Sequence, residues 1–282
     1  MHISVGTGCF AWAILSLAAL PAVAAPPSAV PPAAPQTASG GGPAALPGGD
    51  FGSFTVAENG HAVGTASFQF TASGQGFDST SLVKVSMQGL DYELSKTEQL
   101  SAALQLRQVQ VSAVVNGEAV TVAATPDAAQ FVLHIAASGK STTTRLTGHQ
   151  DAAFIADFDP GALETLLQLA AAHNNRDLWA ILPMNTGSIE PVQLATYADQ
   201  QGTLDGRPIV AHHLVATIAG AHTDLFAGPE NQLLQAELPQ SGFVLLRKNF
   251  VLTPPARPVE PAAGLAAPPG QGAPADSSAG KP

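Results

Sequence analysis

From residue 49 to residue 250 the chain is built of short runs in which apolar and polar side chains alternate, and only 159–174 carries the rhythm of a helix. Alternation with period two puts every apolar side chain of a strand on one face, so a long series of such strands must cover one side of its sheet. With a single helix available to share the burial, the sheet has to curve around its own apolar face. The runs 62–71, 79–88, 92–97, 103–115, 119–124, 130–137, 178–182, 190–197, 208–218, 223–227, 232–238 and 243–248 read as strands, about fourteen in all with the weaker ones. Connections such as Asn59-Gly60, Asn116-Gly117, Ser138-Gly139 and Asp205-Gly206 accept the positive φ that tight hairpins need. Apolar parity switches between Leu104, Leu106 and Val109, Val111, which places a bulge near Arg107 or Gln108. The fold class is α+β, dominated by antiparallel sheet.

The helix has its own start signals. Asp159 can cap it, Pro160 suits the first helical position, and Glu164 falls in or near the first turn. Leu163, Leu166, Leu167 and Ala170 then form one stripe, expected to lie against the sheet, and Asn174-Asn175 is a plausible stop.

Both ends differ from this body. Residues 1–24 read as a secretory signal peptide, with an apolar run from Phe10 to Leu20 too short to span a bilayer and Ala22-Val23-Ala24 before the expected cleavage point. Residues 25–49 form a linker rich in Pro, Ala and Gly, residues 50–253 the domain, and residues 254–282 a second Pro/Ala/Gly-rich tail, both flanks too poor in large apolar groups to order themselves. Cys9 is the only cysteine, so the mature chain is expected to hold no thiol. These features place the protein in the periplasm or outside the cell, with no transmembrane span in the mature chain.

Net charge is −10 with 11 scattered Lys and Arg, so no basic face is available for nucleic acid or for anionic headgroups. His212, His213 and His222 are the best metal candidates, yet adjacent His212 and His213 point to opposite faces of a strand and no partner has diagnostic spacing. A hydrolase using His212 or His222 as base is the enzymatic alternative. Gly139-Lys140-Ser141 imitates the end of a phosphate loop but lacks its first glycine, and reads as a hairpin. Asp151, Asp157, Asp159 and Glu164 cluster in sequence, with Asp159 already engaged as a cap. No catalytic motif, cofactor or metal site is expected.

The last third has a recognisable order: Ile181-Leu182-Pro183 after the helix, a turn at Leu204-Asp205-Gly206-Arg207, then Asp224-Leu225-Phe226-Ala227-Gly228-Pro229-Glu230-Asn231-Gln232-Leu233-Leu234 running into Ala236-Glu237-Leu238-Pro239. Together with Gly52-Ser53-Phe54-Thr55-Val56 and Asn59-Gly60 at the front, this resembles a group of exported bacterial proteins related to the lipoprotein-carrier half-barrels of the LolA and LolB type. Where that group has Trp-x-Asp, this chain has Phe226-Ala227-Gly228-Pro229. The resemblance implies an open half-barrel, a curved antiparallel β-sheet with one main helix packed against it, enclosing an apolar cavity. On that expectation the protein is a non-enzymatic envelope protein that binds an acyl chain or lipid. Phe68, Phe70, Val83, Val85, Leu104, Leu106, Leu133, Leu163, Leu167 and Leu234 would form the apolar walls. The alternative is a structural or adaptor module with a solid core, whose tails engage an envelope partner.

Overall fold

The computed structural model describes residues 49–183 and 186–253. The segments expected as signal peptide (1–24) and C-terminal tail (254–282), and the expected linker up to residue 48, lie outside the described residues. Seventeen strands and one helix account for the rest.

Eight strands form a meander: β1 (Asp50–Glu58), β2 (His61–Ser73), β3 (Gly76–Met87), β4 (Leu90–Ser101), β5 (Leu106–Val115), β6 (Glu118–Asp127), β7 (Gln130–Ala137) and β8 (Lys140–Thr147). On the other side of β1 the sheet continues through β16 (Phe243–Arg247), β15 (Leu233–Leu238), β14 (Ala221–Ala227), β13 (Arg207–Ile218), β11 (Ser188–Thr196) and β10 (Leu178–Leu182) to β9 (Ala152–Phe154). All pairings are antiparallel except β9 with β10. The first half of β13 turns aside to pair with β12 (Gln200–Leu204), which pairs in turn with β17 (Phe250–Leu252). Among the described residues β8 and β9 are edges that do not pair with each other, so the curved sheet stays open.

The local chemistry explains this regularity. Both turn residues have positive φ at Asn59-Gly60, Asn116-Gly117, Ser138-Gly139 and Asp205-Gly206, a combination whose twist matches that of the flanking strands. Gln99 pairs with Gln108 and Leu100 with Leu106, leaving Arg107 as the extra residue of a bulge where the parity switch put it. Inward positions of β4 are buried without exception from Tyr92 to Leu100 while the intervening ones are exposed.

Helix α1 (Pro160–Ala172) begins at the Asp159 cap, whose carboxylate accepts from the Gly161 N–H at 2.9 Å. Ten of its thirteen residues are buried, well beyond the single stripe the spacing spelled. It packs on β2 and β3 from one side and on β9 and β15 from the other, so it sits within the curve of the sheet and not merely at its mouth. No helix among the described residues is long and apolar enough to cross a membrane.

Candidate binding site

The ten residues expected to line a cavity divide into three sets. Phe68, Phe70, Val83, Val85, Leu104, Leu106, Leu133 and Leu167 are at most 5 % exposed and belong to one packed cluster, together with Leu166 and Leu169 of α1. Leu163 is half-buried against that cluster. Leu234 belongs to a second, smaller cluster with Ala211, Phe226 and Phe250, under the β12–β17 corner. The structure thus gathers seven of the ten on one inner surface, and α1 covers that surface with Leu167 and its other leucines.

Beneath the start of α1 lies a polar centre that the apolar pattern conceals. Lys96 and Glu98 point inward from β4, and their strand partners on β3 are Ser81 and Ser79. The Lys96 ammonium lies 2.7 Å from Asp159 Oδ2 and 3.2 Å from Glu98 Oε2, all three side chains being fully buried. Thr165 Oγ1 donates to Glu98 Oε2 at 3.4 Å. Glu98 Oε1 and the hydroxyls of Ser79 and Ser81 have no hydrogen-bond partner among the described residues. Burial alone would lower the Lys96 pKa, but Asp159 and Glu98 outweigh it and hold the ammonium above its usual value. Burial likewise pushes the Glu98 carboxyl up, with Lys96 pulling the other way. A Cβ on Gly161 would run into the Ser81 hydroxyl and press on the Phe68 Cβ, so only glycine lets the helix approach this wall.

One turn further along, Glu164 is not a first-turn carboxylate at all but a core residue. It accepts from the Leu233 N–H at 2.7 Å and from Gln168 Nε2 at 2.9 Å, and so ties α1 to β15. Burial pushes its pKa to about 7, against those two hydrogen bonds. The centre has no reacting atom within reach of solvent: a protonated, doubly paired lysine is a poor base, and Ser81 has no base beside it. Its chemistry is positional.

The three histidines are separated. His212 pairs with Asp199 at 3.0 Å, His213 with Asp224 at 2.7 Å while stacking on Phe226, and His222 with Thr217 at 2.9 Å. No group of three or more metal-capable side chains occurs among the described residues. Ser138-Gly139 is the β7–β8 turn and Lys140 opens β8, as expected of a hairpin.

On the outer face of β1–β3 lies an open groove of about 670 Å³. Outward-facing Phe51, Gln69 and Thr80 form one row across the three strands, and Ser53, Ser67 and Leu82 the next. Phe51 at 74 % and Leu82 at 60 % are far more exposed than large apolar side chains normally are, and they stand diagonally across a floor of hydroxyls and one amide. Phe68 and Phe70 border the groove while their rings point to the buried face. Arg247 secures the rim: its guanidinium grips Asp50 at 2.8 and 3.1 Å and donates to the carbonyls of Phe51 at 2.7 Å and Leu233 at 2.9 Å. Alternation predicts which residues face outward, but not that two apolar ones flank a row of small ones. That needs the register of three strands.

No protein-family model matches the chain, and no curated protein matches it. Among solved structures it is similar to a β-barrel-like protein of a domain of unknown function, DUF1849, from Brucella abortus. The two share 10 % identity over 72 % of this chain and 97 % of that one, with a TM-score of 0.47.

Proposed function

We propose that this protein is a non-enzymatic module of the cell envelope that acts as an adaptor through its outer surface, with residues 25–49 and 254–282 as tethers. The observation that carries this reading is the groove on β1–β3, whose apolar walls and hydroxyl floor suit an extended peptide of mixed polarity better than a bare acyl chain. Its size falls in the range of small-ligand clefts, but it is open and half polar. The exported address rests on the apolar run and small-x-small pattern of residues 1–24. A partner captured by the wild-type protein should be lost with Phe51→Ser plus Leu82→Ser and kept with Tyr197→Ser, another exposed aromatic elsewhere. Equal capture by all three proteins would remove the groove from the account.

A second reading keeps the acyl chain or lipid as ligand inside the half-barrel, and is favoured by the seven residues that gather in one apolar cluster under α1. It requires α1 to leave, exposing its leucines and breaking the Lys96 centre. Native mass spectrometry of residues 25–282, before and after challenge with phospholipids and fatty acids, separates the two. An unchanged protein mass supports the adaptor, and a stoichiometric, extractable lipid supports the carrier.

A further inference from the structure

The groove begins where the described chain begins. Gly49 and Asp50 are themselves part of its lining, and Gly49 has φ +74° with its backbone tucked against the Phe70 carbonyl. A Cβ at Gly49 would lie 3.1 Å from that oxygen, so glycine is required for the chain to enter at this angle. The preceding residue is also glycine.

The segment that arrives there has a distinctive composition. Residues 1–49 contain no Asp, Glu, Lys or Arg. Between Val30 and Phe51 the only large apolar side chain is Leu46, set in Pro43-Ala44-Ala45-Leu46-Pro47. A residue before proline is biased away from the helical region and toward an extended backbone, and Leu46 precedes Pro47. Two residues separate Leu46 from Gly49, a reach of at most about 10 Å. Crossing from β1 to β3 takes two strand spacings, also about 10 Å.

The chemistry matches as well as the length. The groove lining carries one charge, Asp50, and Arg247 neutralises it with a two-pronged contact. What remains are two exposed apolar walls and neutral hydrogen-bonding groups, which fit an uncharged Pro/Ala/Leu segment and offer nothing to a charged one. Proline-containing extended segments dock on aromatic-edged grooves at low entropic cost.

We propose that the groove is occupied in the free protein by the chain's own upstream segment, residues 43–47, with the Leu46 side chain lodged between Phe51 and Leu82. Resting as it does on the reading of this groove as a peptide-binding surface, the occupancy would make the linker's exit direction fixed. Any partner must then displace or imitate the segment.

The test is thiol alkylation of Thr80→Cys, on the groove floor with both walls intact, in the mature chain with Cys9→Ser wherever the leader is retained. Expected is slow labelling that Leu46→Asp accelerates about tenfold, the response of a site exposed only when a docked segment opens. A thiol placed by Val114→Cys, on the exposed face of β5, should be indifferent to Leu46→Asp. Indifference of the Thr80→Cys thiol to Leu46→Asp would overturn the proposal. So would protection that rises with protein concentration, which assigns the groove to a second copy, or protection released by Leu265→Asp, which assigns it to the C-terminal tail. Because the purified protein is tested alone, loss of this occupancy leaves partner capture by the groove to be judged on its own experiment.

Discussion

Glu98 on β4 and Glu164 on α1 are both buried, yet Glu98 has an ammonium beside it, whereas Glu164 accepts hydrogen bonds from neutral donors. At the first site Lys96 links a strand carboxylate to the helix cap, so the start of α1 is fastened by charge. At the second, one backbone N–H and one amide face a carboxyl whose pKa burial has lifted to about 7. Burial is the largest cause of the upward shift at both acids, and only at Glu98 does a buried ammonium pull the other way. The start of α1 is therefore held by an ion pair, and its middle by a carboxyl that titrates near neutral pH.

Breaking the charged site should have the largest effect. Lys96→Met leaves Asp159 and Glu98 buried without their cation and is expected to cost about 3–5 kcal/mol in urea unfolding. Adding Glu98→Gln to that variant should recover part of the loss, since one uncompensated charge is then gone. If the double variant were no better than the single one, the pair would not share a charge balance.

Glu164 should govern the pH response. Its folded pKa of about 7 stands above the ordinary glutamate value of 4.5, so the folded state holds the proton more tightly. Stability contributed this way is complete below about pH 4.5 and is lost as pH rises through about 7, at most about 3 kcal/mol. Glu164→Gln should flatten that slope in melts recorded from pH 4.5 to 8. An unchanged slope would move the titration elsewhere.

Gly161→Ala sharpens the comparison from the geometric side. The added methyl must displace the Ser81 hydroxyl, and about 1–3 kcal/mol of stability should be lost. The same substitution at an open helix site would stabilise, so the sign in a thermal melt is informative. Smallest of all is Asp127→Ala. The Asp127–Arg145 pair is a 2.7 Å contact between exposed side chains, and its removal should change stability by no more than about 0.5 kcal/mol.

Much of the fold is legible locally. The paired positive-φ turns, the Arg107 bulge, the Asp159 cap and the Pro160 start all follow from residues adjacent in sequence. The polar centre was half legible: Tyr92, Leu94, Lys96, Glu98 and Leu100 share one parity, so β4 carries its two charges inward by pattern alone. Ending that run at residue 97 hides Glu98 from view. That Asp159 would meet Lys96 is another matter, because the two are brought together only when α1 enters the curve of the sheet. A single apolar stripe likewise conceals Glu164, Thr165 and Gln168, which are buried because the helix is covered on both sides. The gap between β8 and β9 and the outer groove depend on strand order and three-strand register, which no local run of residues encodes.

Whether α1 is a fixed part of the core decides between an adaptor with a solid interior and a carrier that opens. Native-state hydrogen exchange read on the amides of 160–172 addresses this directly. Expected is protection of α1 equal to that of β3 and β4, with all three released only by global unfolding. Exchange of α1 through a separate, lower-energy opening, while β3 and β4 stay protected, would contradict the solid interior and restore the inner apolar surface as the binding site.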